Sequence, residues 1–393
     1  MGHRPCLNRV VVPTMLLLVS CGRGPAVDNS LQVDTVGTTV FVRNPAPARQ
    51  DTLTPILEIG RVAVLDTKAP DEFGRINAAV LDALGRVFVA DGQALQIRMF
   101  LASGTFTRAL GRSGQGPGEF GALYSLGFMG DSLLALDSRN ARISLFSPSG
   151  QPLATWRWLP MTGPVNVVRF YPTGARESYV RGLLTTPGGR GSAYIRLMSH
   201  GPAGTISDPL PKGLPNTTIV CPIPGGMTFF SIPFAATRIS VPAPNGQLAS
   251  AWSADYRITF TTAEGDTVRV IERAYTHLPV TSVQWLTATE DYRDFRKQVP
   301  GAKCNGDMTR PPHRAALQGI YFDQKGHLVV EVTADSAVRY DFYDKEGRAR
   351  QTVHLPQRDA SVAPYFRGDR IVQVARDSLD IQYVQIFETR TGR

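Results

Sequence analysis

One spacing of residues occurs twice in this 393-residue sequence, and it constrains the fold more than any other feature. In residues 84–104 and again in 129–150, an aspartate is followed by an isoleucine six residues later, a phenylalanine three after that and a glycine four beyond. These are Asp91, Ile97, Phe100 and Gly104 in the first copy and Asp137, Ile143, Phe146 and Gly150 in the second. Two identical spacings are hard to obtain by chance, so we expect a chain built from structural repeats.

The second half of the pattern recurs four more times with looser chemistry. The further copies are Tyr194, Leu197 and Gly201; Ile258, Thr261 and Gly265; Tyr340, Tyr343 and Gly347; and Val384, Phe387 and, one residue late, Gly392. Each copy alternates β-rich runs with turn residues, and only 19% of the chain is charged, against 37 glycines and 29 prolines. Six such repeats predict an all-β fold, a six-bladed β-propeller of four-stranded antiparallel blades.

The ends of the chain predict how the ring closes. The sixth copy reaches Arg393 just after its third strand, which leaves that blade without an outer strand. Residues 53–60 resemble the outer strand of the first copy, residues 105–111, and both segments end in glycine. We therefore expect this N-terminal strand to complete the last blade and remove an unpaired sheet edge, so that residues 53–393 form one propeller.

The N-terminus has the features of an export signal. Arg4 and Arg9 precede an apolar stretch, residues 10–19, that is too short to span a bilayer. Residues 18–21, LVSC, resemble the lipobox of bacterial lipoproteins. In those proteins the signal is cleaved just before the cysteine, which becomes the N-terminal residue and is lipidated. The alternative is that Cys21 is an ordinary buried cysteine.

The lipobox divides the chain into three parts. Residues 1–20 are interpreted as a signal peptide, Cys21 as the lipidation site, and residues 21–52 as a tether because they hold only one short apolar run. This predicts a protein of the bacterial cell envelope that is lipid-anchored in a membrane and faces the periplasm or the exterior.

Two motifs in the first copies point to a family. Val-Ala-Asp at 89–91 and the connector GRSGQGPGEF at 111–120 resemble those of bacterial six-bladed β-propeller proteins with NHL-like repeats. The resemblance covers residues 53–393 and is strongest over 57–150, whereas the third and fourth copies lack the aspartate. It implies a propeller that hosts either binding or catalysis, since some relatives are calcium-dependent lactonases or metal-dependent lyases. No motif here identifies the ligands of such a metal.

The glycine-rich connector raises the alternative of a phosphate-binding loop. Pro117 removes a backbone donor from its middle, and neither Lys-Ser nor Lys-Thr follows it. We therefore expect the glycines to turn the chain from one blade to the next, with Phe120 packed between blades and Glu119 bonded to turn amides. Asp91 and Asp137, which repeat, are likewise expected to bond turn amides rather than to hold a metal.

Export also affects the cysteines. Cys6 leaves with the signal and Cys21 is lipidated, so Cys221 and Cys304 remain as an even pair in an oxidising compartment. We expect a disulfide between them. A zinc site is disfavoured, because two cysteines without a nearby histidine pair supply too few ligands.

The longest insertion, between the fourth and fifth copies, is basic and contains a predicted helix at residues 287–298. Arg293, Arg296 and Arg314 are its candidate contacts to an acidic ligand; the alternative is a solvated surface. The net charge of +9 is scattered, without a run of like charges, so no nucleic-acid partner is expected.

These features favour a monomeric, non-catalytic binding or scaffold module whose ligand is a protein, peptide or glycan. The alternative is a hydrolase or lyase that uses a divalent metal near the axis, with calcium the possible ion. The six histidines show no metal-ligand spacing, and no catalytic or cofactor-binding residue can be assigned from the sequence.

Overall fold

The computed structural model describes residues 30–60, 73–157, 169–172, 177–186, 189–198, 201–209, 214–215 and 217–389. These residues form six small antiparallel sheets in a ring, which confirms the predicted six-bladed β-propeller. The predicted signal peptide and Cys21 lie outside the described residues. No helix within the described ranges is long and apolar enough to cross a bilayer.

The blades are numbered 1 to 6 in chain order, and each has four strands. Blade 1 contains Ile76–Leu81, Val87–Asp91, Gln96–Phe100 and Phe106–Leu110; blade 2 contains Leu123–Met129, Ser132–Asp137, Arg142–Phe146 and Pro152–Arg157; blade 3 contains Phe170–Pro172, Ser178–Thr186, Gly189–Met198 and Gly201–Pro209. Blade 4 contains Arg238–Pro242, Leu248–Trp252, Arg257–Thr261 and Thr267–Arg273; blade 5 contains Leu317–Phe322, Leu328–Val332, Val338–Tyr343 and Ala349–Leu355; blade 6 contains Tyr365–Arg367, Arg370–Arg376, Gln382–Glu388 and Leu57–Ile59.

The ring closes through the N-terminal strand. Leu57–Ile59 pairs antiparallel with Gln382–Glu388, so that Ile59 lies opposite Val384. Ile59 is buried, and the side chain of Gln385 donates to Glu58 at 2.9 Å. The third strand of blade 6 is therefore paired on its outer side over these residues, and Leu57–Ile59 completes the blade as its fourth strand.

The chain already contacts the propeller before residue 53. Thr39–Asn44 pairs in parallel with the outer strand of blade 4 and antiparallel with Gln32–Val36, and Asp51–Thr52 pairs in parallel with the outer strand of blade 5. The one apolar run of the segment that the sequence assigned to the tether lies in the first of these strands. Residues 32–59 thus follow the rim of blades 4, 5 and 6 in turn.

The connector between blades 1 and 2 has the structural role predicted for it. Gly111 has φ of +80°, and a Cβ there would lie 2.3 Å from the ring of Phe120, which is fully buried. The Glu119 carboxylate accepts from the amide of Gly116 at 2.8 Å, and this bond is the main reason that the pKa of Glu119 is lowered. Arg112–Ser113 and Glu119–Phe120 pair as two short parallel strands across the loop. The loop uses its amides internally and does not present them to an anion.

The repeated aspartates serve the same connectors. Asp91 is fully buried and accepts from the amides of Gly74 at 3.1 Å and Ala94 at 2.9 Å. Asp137 bonds the amides at the corresponding positions of blade 2. Each carboxylate therefore joins the segment that enters a blade to the turn after its second strand, as the turn interpretation predicted.

Two insertions lie on one side of the ring, which we call the entry face because the first strand of each blade begins there. A hairpin of Thr218–Ile223 and Gly226–Ser231 precedes blade 4, and the helices α1 (Ser282–Ala288) and α2 (Glu290–Gln298) precede blade 5. A single-turn 3₁₀ helix, Pro244–Gly246, connects two strands of blade 4. The sequence predicted α2; it missed α1, whose capping box begins at Thr281.

A disulfide joins the two insertions. Cys221 of the hairpin and Cys304, just after α2, are bonded, with Cα atoms 4.1 Å apart. Phe230 of the hairpin packs edge-on against Tyr292 of α2, with ring centroids 5.2 Å apart. The hairpin and helices therefore form one small apolar cluster beside the entry face.

Candidate functional site

The first strands of the blades surround a cavity of about 570 Å³ on the ring axis. All six blades contribute to its wall, through residues that include Ile76, Tyr124, Phe170, Ile239, Gln318 and Tyr365 in blade order. A cavity of this size is within the range that holds a small ligand or one unit of a larger one.

Five arginines line the axial cavity. They are Arg75, Arg169, Arg181, Arg358 and Arg376. Among the described residues of its wall there is no aspartate, glutamate, lysine or histidine. Since arginine keeps its charge at every physiological pH, the charged groups in this part of the wall are all positive.

Arg169 lies between two tyrosine rings at the start of blade 3. Its guanidinium carbon is 4.7 Å from the ring centroid of Tyr171 and 5.2 Å from that of Tyr321 in blade 5. Burial opposes its charge, yet the contacts with the two tyrosines raise the pKa of Arg169. None of the ion pairs within the described ranges includes this partly buried guanidinium, so the fold supplies it with ring faces instead of a carboxylate.

Arg358 is held by the protein itself. Its Nε and one terminal nitrogen donate to the two carboxylate oxygens of buried Glu331 at 3.0 and 2.9 Å. The other terminal nitrogen donates to the carbonyl oxygens of Asp359 and Val362. Tyr321 donates its hydroxyl proton to Glu331 at 2.7 Å, and burial together with this carboxylate raises the pKa of Tyr321. Arg358 therefore fixes the wall of the cavity.

Arg376 is also paired. Its Nε donates to the Asp359 carboxylate at 2.8 Å, and Gln382 donates to the same oxygen at 2.7 Å. Burial raises the pKa of Asp359, but bonds from Ser361 and Gln382 outweigh burial and lower it. Gln382 in turn accepts from the amide of Ile76 at 2.7 Å, which links blade 6 to blade 1.

The arginines chosen from the sequence do not line this cavity. Arg293 donates to the carbonyl of Leu286, and Arg296 to that of Ala302 at 2.9 Å. Arg314 bonds the Ala334 carbonyl and lies 3.4 Å from Asp335. They lie in the insertion between blades 4 and 5, where they bond the protein.

The metal-dependent alternative has no candidate ligand set in the part of the chain that the structure describes. No group of three or more His, Cys, Asp or Glu side chains within those ranges is placed to hold a metal ion. Cys221 and Cys304 are consumed by their disulfide.

Sequence reasoning missed the arginines of the axis, because they are far apart in the chain and form no motif. The sequence feature that could have identified some of these arginines is their position within the repeat. Arg75 immediately precedes the first strand of blade 1, and Arg376 ends the second strand of blade 6. Both positions fall at the entry face, so aligning the six copies and marking cations at these two positions finds Arg75, Arg169 and Arg376, but not Arg181 or Arg358.

Comparison with known proteins leaves the description at the level of the fold. No protein-family model matches the chain, and no curated protein does. Solved structures with similar folds include the calcium-binding protein regucalcin of Agrobacterium tumefaciens, at 13% identity and a TM-score of 0.41 over 88% of this chain and 98% of that one. Virginiamycin B lyase of Staphylococcus aureus is 12% identical, with a TM-score of 0.38 over 79% of this chain and 94% of that one. Similarity at this level carries no information about activity.

Proposed function

We propose that this six-bladed β-propeller is a non-catalytic binding module that holds an anionic ligand at the axial cavity. The observation that carries the proposal is the wall of five arginines without an acidic residue among its described members. Within it, Arg169 supplies a guanidinium that tyrosine rings orient and no described carboxylate neutralises.

Guanidinium groups favour ligands with carboxylate, sulfate or phosphate groups, because their paired N–H donors match two oxygens of one anion. Arg358 and Arg376 are fixed by Glu331 and Asp359, so they give the mouth of the cavity its shape. Arg169 bonds the side chains of Tyr171 and Tyr321, but none of the ion pairs within the described ranges neutralises its charge. A wall that is rigid before the ligand arrives loses little conformational entropy on binding.

The cellular setting belongs to the same proposal. The lipobox at residues 18–21 supports a lipid anchor on Cys21, and the repeat motifs support an NHL-like propeller. The module would then present its cavity outside the cytoplasm on a tether. Its ligand would be an anionic protein, peptide or glycan of that compartment.

The proposal is tested with two matched probes, D-galacturonate and neutral D-galactose. They differ only at C6, which is a carboxylate in the first and a hydroxymethyl group in the second. Isothermal titration at low ionic strength should show binding of galacturonate alone, weakened by about tenfold or more in the Arg169→Ala variant. The control is Arg348→Ala, which removes an exposed arginine from a turn on the opposite face. Equal binding of both sugars, or equal affinity in the two variants, contradicts an anion site at the axis.

A further inference from the structure

Two side cavities adjoin the axial cavity. One, of about 390 Å³, lies between blades 3 and 4 and shares Arg169, Tyr171 and Arg181 with the axial wall. The other, of about 540 Å³, lies between blades 6 and 1 and shares Arg75 and Arg376 with that wall. Both side cavities therefore adjoin the axial cavity, with shared residues in their walls.

The two side cavities lie on opposite sides of the axis. In a ring of six blades in chain order, the boundary between blades 3 and 4 is three blades away from the boundary between blades 6 and 1. Both cavities are lined by residues at the entry face, such as Arg238 at the start of blade 4 and Gln382 after the second strand of blade 6. The axial cavity and the two side cavities lie in one row across the entry face among the described residues, and we call this row the diametric groove.

Arginines occur in all three cavities, and three of them, Arg238, Arg358 and Arg376, are paired with carboxylates of the protein. Six arginines line the groove: Arg238, Arg181, Arg169, Arg358, Arg75 and Arg376. The acidic residues among its described lining are Asp208 and Asp380, which pair with Arg238 at 2.7 Å and with Arg376 at 3.1 Å. Each of the three spaces alone reaches the size that accommodates a small ligand, so a single small molecule would leave most of the groove empty.

From this geometry we infer that the ligand is a linear acidic glycan, a chain of uronic-acid-type sugars that lies along the diametric groove. The inference rests on the proposed function, because it places one acidic unit at the axial arginines and adds further units on either side. A ligand with a carboxylate on each unit would place one carboxylate against Arg169, which none of the described ion pairs neutralises. Trp252 at one end of the groove offers an indole ring to the apolar face of a sugar ring.

An acidic peptide fits the groove less well. Peptides that bind β-proteins usually add a strand to an open sheet edge, which supplies backbone hydrogen bonds. The first strands run along the propeller axis, whereas the groove crosses the entry face at right angles to them, so a chain in the groove cannot extend any sheet. Recognition must then come from side chains alone, which suits a glycan rich in hydroxyl and carboxylate groups.

The inference predicts that affinity depends on ligand length. The probes are α-1,4-linked galacturonate oligomers of one to six units, titrated against the full chain at low ionic strength. The hexamer should bind about tenfold or more tightly than the monomer, because its outer units contact the two side cavities. Equal affinity of hexamer and monomer overturns the groove but leaves the axial anion site standing, whereas failure of both to bind a folded protein overturns the proposed function itself.

Variants at the two ends of the groove test whether the side cavities cause the length dependence of affinity. Gln93→Ala, at an exposed position between blades 6 and 1, and Trp252→Leu, between blades 3 and 4, should each lower the ratio of hexamer to monomer affinity by about threefold or more. Arg348→Ala on the opposite face should leave the ratio unchanged. An unchanged ratio in both groove variants, with thermal denaturation showing native folds, overturns the inference. Hexaglutamate binding as tightly as the galacturonate hexamer overturns the glycan class in favour of an acidic peptide.

Discussion

Arginines occupy two contrasting environments in this propeller. Between blades 4 and 5, Arg273 and Arg339 both contact the fully buried carboxylate of Asp341, at 2.9 and 2.8 Å. At the axis, Arg169 has two tyrosine rings and no carboxylate among the described residues. The same side chain therefore joins blades in one place and faces a cavity in the other.

The difference lies in how completely the protein uses the donors. Asp341 also accepts the hydroxyl protons of Tyr256 and Thr352, each at 2.8 Å, so both of its oxygens are saturated. A buried charge network of this kind leaves no capacity for a ligand, and breaking it costs stability. At the axis the two tyrosines favour the charge of Arg169 and no described carboxylate neutralises it, and this contrast is the basis of the proposed anion site.

The largest expected effect comes from breaking the buried cluster. Asp341→Ala strands Arg273 and Arg339 without a counter-charge, and should lower the free energy of unfolding by about 5 kcal/mol in urea denaturation. Asp335→Ala is the control, since Asp335 is exposed and its pair with Arg314 is worth about 1 kcal/mol or less. Similar losses in the two variants would remove the distinction between the environments.

Arg358 combines features of the two arginine environments, because it lines the axial cavity but is also bonded by the protein. Arg358→Met leaves buried Glu331 with the Tyr321 hydroxyl, and should cost about 3 kcal/mol of unfolding free energy. Arg376→Met is its matched control. That arginine is partly exposed, and Asp359 keeps its bonds from Gln382 and Ser361, so about 1 kcal/mol is expected. If Arg358→Met denatures like the wild type, Arg358 belongs with the ligand-binding arginines.

A smaller effect is expected at the connector that the sequence singled out. Gly111→Ala places a Cβ against the Phe120 ring at a positive φ, and should cost about 2 kcal/mol. Gly368 has φ of +62° with nothing within 4 Å, so Gly368→Ala carries only the backbone strain, about 1 kcal/mol. Denaturation midpoints compare the two. A tolerated Gly111→Ala would mean that the glycine does not fix this connector.

Much of the propeller could be predicted because its causes are local and repeat. Gly111, Asp91 and Asp137 have the roles that short-range turn chemistry assigns to them. Ring closure by Leu57–Ile59 could be predicted because an unpaired edge demands a partner and one β-segment remained. The rim strand Thr39–Asn44 was missed, since its pairing with blade 4 extends a blade that was already complete.

The proposed binding surface could not be predicted from the sequence in the same way. Arg169 and Tyr321 lie 152 positions apart and meet only because the ring brings blades 3 and 5 to one axis. The basic segment that the sequence suggested as a ligand contact is continuous in the chain. Its Arg293 and Arg296 donate hydrogen bonds to nearby backbone carbonyls. The arginines that are close together in the sequence lie in and after a helix, whereas the axial arginines are far apart in the sequence and are brought together by the ring.

The smallest effect on stability is expected where the effect on binding is largest. Arg169→Met exchanges a partly desolvated cation for an apolar side chain of similar length. The substitution removes the cost of burying the charge together with the favourable contacts with Tyr171 and Tyr321, so the two changes largely offset each other. The free energy of unfolding should change by less than about 1 kcal/mol, in either direction. Arg273→Met is the matched control, and it should destabilise strongly because Asp341 loses a buried partner. If the two substitutions cost the same, Arg169 is a structural arginine like Arg273, and its position on the axis would not indicate a ligand.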